Sequence, residues 1–425
     1  MRAMKDSGIP WIGEIPKDWC IDRIKHHFSV ISGATPKSDN PEFWDGDVPW
    51  ITPADYKTED KYVSCGRKRL SEAGYKSCGT TLVPSGSIIF SKRAPVGTVA
   101  IANSKLCTNQ GCLSCVVKDG SNTTFYYYVM SAFTEQFELM ATGTTFKEIA
   151  TDVFSNFFLP SPPKNVQTAI VKHLDAECAR IDAVMEQTRA SIEEYKTLKQ
   201  SIITEAVTKG IRPNRPMKDS GIDWIGQIPE DWEVRRIKTL FDLRDEKNYL
   251  PLEEVNLISL YTDLGVVQHT DLEKTTGNKA SNADGYKKVY ENDIIVNIIL
   301  CWMGAIGRSA YEGVTSPAYD IYIPKEKVDS RFYHHYFRTT GFSGDCYKRG
   351  KGIMAMRWRT YSDQFRDIKV VYPSYEEQQE VLEYLDHQSA AIDDMIASKQ
   401  HLLEELECYK KSLIYDYVTG KKEVV

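Results

Sequence analysis

Residues 167–209 read QTAIVKHLDAECARIDAVMEQTRASIEEYKTLKQSIITEAVTK, and a second copy of the pattern runs from Gln378 to Gly420. Alternating steps of four and three pick out Leu174, Cys178, Ile181, Met185, Thr188, Ile192, Tyr195, Lys199, Ile202 and Ala206. An offset of 211 gives Leu385, Ser389, Ile392, Ile396, Lys399, Leu403, Leu406, Lys410, Leu413 and Tyr417. Most of both series is apolar, and a mean step of about 3.5 is the period of a left-handed coiled coil. Each helix, unbroken, extends about 65 Å, longer than a compact domain needs. The copies therefore read as two matched struts. Leu174, Ile181, Met185, Thr188, Ile192, Leu385, Ile392, Ile396, Lys399 and Leu403 are the candidate helix-pairing residues, and the polar Thr188 and Lys399 near the centre set register. Ser161 and Pro162 predict the start of the first helix. Ser374 and Glu377 predict a capping box at the second, and Gly210 with Pro213 stops the first.

A second repeat stands in front of each half. Met4 through Trp19 recurs as Met217 through Trp232, changed only at Asp223, Gln227 and Glu230. Arg23-Ile24-Lys25 and Phe28 recur as Arg236-Ile237-Lys238 and Phe241. The chain is thus two half-proteins in tandem, which can pack about a pseudo-twofold axis like a dimer fused into one chain. The predicted fold is α+β: two globular domains separated by an antiparallel pair of long coiled-coil helices. The expected divisions are 1–159, 160–210, 211–372 and 373–425. β-like runs stand at Val48–Ile51, Ser87–Phe90, Thr98–Ile101, Cys112–Val117, Asn256–Leu260, Asp293–Asn297 and Asp320–Ile323, with helices near Phe125–Ala141 and Arg331–Thr340. Between the repeats, regions 29–159 and 242–372 differ far more than their flanks.

No apolar run is long enough to span a membrane, and the start carries no apolar stretch like a signal peptide. Ten irregularly spaced cysteines read as reduced thiols in a cytoplasmic protein. The net charge of −6 is unevenly spread. Ten acids and one base, Lys399, fall between Glu376 and Cys408, leaving the rest near +3. Five bases without an acid fall at Lys348, Arg349, Lys351, Arg357 and Arg359. This segregation permits binding to nucleic acid without requiring it.

Catalytic signatures are missing: there is no Walker A sequence, dinucleotide fingerprint, His-Glu-x-x-His, Gly-x-Ser-x-Gly or amino-methyltransferase motif. Cys112 and Cys115 could begin a zinc site, but no second pair follows, and small core thiols are the plainer reading. No metal ligands are assigned. Loop clusters instead mix bases, amides and aromatics, the groups that contact phosphates and base edges. In region one these supply Thr35, Lys37, Lys92, Arg93, Asn109, Gln110 and Lys147. In region two they supply Asn297, Trp302, Tyr319, Lys348, Arg349, Lys351, Arg357 and Arg359.

Taken together the chain resembles the specificity subunit of a type I restriction–modification system. The resemblance rests on the front segments Gly8–Trp19 and Gly221–Trp232, on Ser32–Lys37, Val48–Thr52, Thr108–Gln110, Trp302–Gly307 and Ser316–Tyr319. It rests also on Gln167 and Gln378, the Leu-Asp pairs at 174–175 and 385–386, and the Ile-Asp pairs at 181–182 and 392–393. Val166-Gln167 departs from the family's Glu-Gln, which Glu377-Gln378 keeps. The resemblance implies that each domain reads one half of an asymmetric DNA target. It implies that the helices set the spacing and dock two methyltransferase subunits, which hold S-adenosylmethionine. Motor–nuclease subunits using ATP and magnesium complete the complex, and this chain binds no cofactor and is not itself an enzyme. A bivalent adaptor for proteins or glycans, spaced by a coiled coil, is the alternative from residues alone.

Overall fold

The computed structural model describes residues 2–143, 147–269, 282–352 and 358–424. Its two longest elements are helices Lys164–Lys209 and Tyr375–Val418, of 46 and 44 residues. At 1.5 Å per residue these extend about 69 and 66 Å. Every position of the two 3.5-spaced series is buried or half-buried, so the pattern in the sequence is the pattern of packing.

The chain divides into two compact units, and the division falls inside both long helices. The first contains the residues up to Thr188 together with those from His401 on; the second contains Arg189–Gln400. Within the first unit the helices run antiparallel: Asp182 meets Lys410 at 2.6 Å, and the His173 and Tyr417 rings lie 4.4 Å apart. Within the second, Lys199 meets Asp393 at 2.7 Å. These two ion pairs are one contact made twice, because the 211-residue offset converts Asp182 to Asp393 and Lys199 to Lys410. They mark the register. Thr188 instead donates its hydroxyl to Val184 O of its own helix, at 2.8 Å. Lys399 lays its ammonium over the Tyr195 ring, 5.6 Å from the centroid.

In the first unit the front segment forms an antiparallel hairpin, Met4–Asp6 with Glu14–Pro16. A five-stranded sheet follows, in the order Phe28–Ser32, Cys112–Val117, Ile88–Ser91, Val99–Ala102, Tyr62–Val63. A smaller sheet sets Trp44–Ile51 between Cys107–Thr108 and Arg69–Leu70. The second unit repeats the hairpin as Met217–Asp219 with Gln227–Pro229. Its main sheet has four antiparallel strands, Phe241–Arg244, Tyr319–Pro324, Ile294–Asn297 and Ile306–Arg308. In both units the strand after the hairpin pairs with the strand entering the long helix: Cys20–Arg23 with Phe158–Ser161, and Glu233–Arg236 with Lys369–Tyr372.

Each core is closed by the start of one long helix and the end of the other. Trp19, Phe125 and Phe154 pack with Leu174, Ile181 and Met185 and with Leu413, Ile414 and Val418. Trp232, Phe332 and Phe365 pack with Ile203, Ala206 and Val207 and with Val381, Leu382 and Leu385. Leu174 and Leu385 thus serve the domain cores as well as the helix seam.

The helix starts differ in part from the sequence expectation. Ser161 is no cap; it ends a strand opposite Cys20, and Pro163 O accepts the first helical N–H groups. At the second start Ser374 Oγ accepts from Glu377 N at 3.2 Å, but the Glu377 carboxylate turns away to Arg215. The box is half formed. Gly210, at φ 72, ends the first helix in the left-handed conformation that glycine adopts without strain.

Candidate nucleic-acid interface

Two buried glutamines fix each recognition domain to its strut. Gln167 Oε1 accepts from Asn122 N at 2.9 Å, and its amide donates to Pro162 O at 3.0 Å. Gln378 Oε1 accepts from Asp329 N at 2.8 Å, and its amide donates to Pro373 O at 3.1 Å. Asn122 and Asp329 are the N-caps of helices Thr123–Ala132 and Ser330–Phe337. One side chain therefore ties the start of a long helix to the start of a domain helix, and does so identically in both units.

The first unit gathers its candidate residues on one loop edge. Loop 33–36 lies against loop 108–111: Ala34 N donates to Thr108 O at 3.0 Å, and the Thr35 hydroxyl meets Gln110 Oε1. Gly33 permits this approach, since a Cβ there would stand 2.2 Å from Thr108 O. Asn109 spends its Oδ1 on Gly111 N, while Gln110 stays exposed. Lys92 N donates to Gly111 O, which brings the Lys92-Arg93 turn to the same edge. Both of these cations are already engaged, Lys92 with Glu148 at 2.8 Å and Arg93 with Glu148 at 3.3 Å. The Lys92 hydrogen bond holds the Glu148 carboxyl below its ordinary range. Lys37 and Lys147 are exposed.

The second unit is built otherwise. Asn297 is buried, and its Oδ1 accepts from Ile299 N and Leu300 N at 3.0 and 3.3 Å, forming the turn into the short helix Cys301–Met303. It does not reach the surface. Tyr319, opposite Asn297 in the sheet, is half-buried, and burial raises its hydroxyl pKa. Trp302 is half-buried and donates Nε1 to Ile299 O at 2.9 Å. Lys348, Arg349, Lys351 and Arg359 are exposed around it; Arg357 lies outside the described residues. Lys351 and Arg359 face each other across a two-residue bridge, each N–H donating to the other's carbonyl at 2.9 and 3.0 Å. Two residues unmarked in the sequence stand beside them. Tyr347 lies 5.6 Å from Trp302, and Trp358 stacks on Tyr347 at 5.0 Å and 23°. Aromatics interleaved with the basic run were the available signal.

Cys112 and Cys115 are fully buried, and burial pushes the Cys112 thiol up to about 12 and the Cys115 thiol higher still. Such thiols stay protonated and make poor metal ligands. No cluster of metal-ligating side chains occurs among the described residues. No described helix is long and apolar enough to cross a membrane.

A duplicated frame that carries two unlike sets of surface loops defines a tandem two-domain protein. The sequence model of the family described as "Type I restriction modification DNA specificity domain" matches residues 16–194 and again 229–407, and the chain belongs to that family. The MjaIX specificity subunit of Methanocaldococcus jannaschii is 31% identical over 244 residues, 56% of this chain and 55% of that relative. The chain thus spans about half the length of that relative. The MjaVIII specificity subunit of the same organism is 23% identical, over 96% of this chain and 94% of its own. A chain solved in work on complex assembly and conformational transition of the type I R-M system has the same fold. Its TM-score is 0.68 at 12% identity, covering 96% of this chain and 99% of that one. The HsdS subunit from Thermoanaerobacter tengcongensis gives 0.54 at 15%, covering 96% and 98%.

Proposed function

We propose that this chain supplies the DNA sequence specificity of a type I restriction–modification complex. Each recognition domain reads one half of a bipartite, asymmetric target, and the paired helices set the spacing and dock two methyltransferase subunits. Those subunits bring S-adenosylmethionine, motor–nuclease subunits bring ATP and magnesium chemistry, and this chain works in the cytoplasm without catalysing a step. One observation carries the reading: the frame repeats its helix-to-helix Asp–Lys pair and its buried glutamine contacts, while the loop edges it presents differ in residue type. A single reader duplicated for strength would keep its loops alike. Two unlike readers on like frames suit two different half-sites, so the target is not a palindrome.

The test is methylome sequencing of the host with and without this gene. Loss of adenine methylation at one split, asymmetric motif is expected; an unchanged methylome overturns the proposal. Replacing residues 29–159 with the same region of a relative alters one half of that motif and leaves the other. A change in both halves, or in neither, overturns the division of labour.

A further inference from the structure

We infer that the second recognition domain holds DNA partly by stacking: Tyr347 and Trp358 form an aromatic platform for an exposed base, with cations around it holding the phosphates. This rests on the reading of the chain as a DNA-specificity subunit.

Three observations carry it. Tyr347 and Trp358 belong to no part of the unit's apolar core, and Tyr347 is 50% exposed beside Met303 at 54%. Their rings are already parallel, and Trp358 is fixed there by its Nε1–H to Tyr347 O at 3.1 Å. Gly350 leaves room for it, because a Cβ at that position would lie 2.2 Å from the indole nitrogen. The chain thus uses a close fit to hold a half-buried tryptophan against the exposed face of Tyr347. Second, the segment is anchored. Thr360 donates its hydroxyl to Cys346 O and its N–H to Ile298 O, both at 2.9 Å. Third, the exposed charges of this segment are mostly basic. Lys348 has a distant partner, Asp223 at 3.8 Å, while Arg349, Lys351 and Arg359 have no ion-pair partner among the described residues. Lys348 and Arg349 also suit the C-terminal end of helix Thr340–Arg349, whose dipole favours cations. That explanation does not extend to Lys351 and Arg359, which stand directly opposite each other. Like charges so placed repel, and an anion between them relieves the repulsion.

A half-exposed tyrosine backed by a tryptophan and flanked by exposed cations is the recognition chemistry of nucleic-acid bases beside their phosphates. On the first unit's loop edge Lys92 and Arg93 close onto Glu148 instead.

Selection of duplexes by the full chain from a random pool of 40-base-pair DNA, followed by anisotropy titrations of the enriched duplex against salt, tests this. Tyr347→Ala and Trp358→Ala are expected to weaken binding roughly 5- to 150-fold with the salt slope unchanged, the signature of lost stacking. Tyr347→Phe retains binding. Lys351→Ala lowers the slope by about one, the signature of a lost phosphate contact. Tyr347 is half exposed and opens no core when truncated, so it decides the matter if Trp358→Ala fails to fold. Variants binding within twofold of wild type, as a protein-docking patch would give, overturn the stacking inference and leave the DNA reading intact. Loss of affinity with a parallel fall in slope overturns it too, since the rings would then only position cations. Wild-type chain that enriches no sequence overturns both.

Discussion

The two units share a frame and differ in what the frame presents. Trp19 and Trp232 sit at the same place in both, at 1% and 0% exposure, as do Gln167 and Gln378 at 2% and 0%. The loop edges then part company. The first is amide-rich, and Glu148 ties up its central cations; the second is aromatic and basic, with its cations open to solvent. The frame answers to folding, which asks the same of both halves. The loops answer to whatever each half touches. Likeness and difference within one chain therefore separate stability from specificity without any second sequence.

If the frames are equivalent, matched substitutions must cost alike. Trp19→Ala and Trp232→Ala should each destabilise their unit by about 3–5 kcal/mol, as truncation of a large buried ring does. Thermal or urea unfolding measures both, and a cost confined to one tryptophan breaks the equivalence. Gln167→Ala and Gln378→Ala leave a part-buried backbone N–H without its acceptor, at about 1 kcal/mol each. Hydrogen exchange at Asn122 and Asp329 should rise in the matching variant only.

Acid should separate the units. His334 is held near 3 rather than the ordinary 6.5, first by burial and then by the positive charge of His335, Arg338 and Arg308. A depressed histidine binds protons less readily folded than unfolded, so its contribution is present above 6.5 and is lost as pH falls toward 3. In the first unit Asp119 is held to about 2: burial alone would raise it, but hydrogen bonds from His27 and Ser121 outweigh burial. Its contribution is present above about 4 and goes only as pH approaches 2. Proteolysis across pH 6 to 4 should therefore open the second unit first, and His334→Leu should blunt that response. The smallest effect is expected at the first loop edge. Glu148→Gln releases two cations and should tighten DNA binding a few-fold with a steeper salt slope. No change in slope would mean that Lys92 and Arg93 face away from the duplex.

Much of this was legible in the sequence, and what was hidden shares a cause. The long helices could be read because a 3.5-residue period persists over about nine turns twice, and strands such as Cys112–Val117 because apolar runs stand between turn residues. Hidden features depend on distant partners. Ser161 looked like a cap but pairs with Cys20. Lys92 and Arg93 looked free but meet Glu148, some 55 residues on. Asn297 looked like a base-reader, yet its side chain is consumed by the turn beside it. Tyr347 and Trp358 look unremarkable until the bridge between Lys351 and Arg359 folds them together.

The closing of the first core by Leu413, Ile414 and Val418 has a consequence for how the chain is made. Emerging from the ribosome, the first unit must wait for residues translated some 225 positions after Thr188, while the second unit is encoded within one continuous stretch. At 5–20 residues per second that delay is roughly 10–40 s. The unit begun first is the unit finished last, and a chain truncated after residue 400 should show it by ready tryptic cleavage before Thr188 and resistance beyond it.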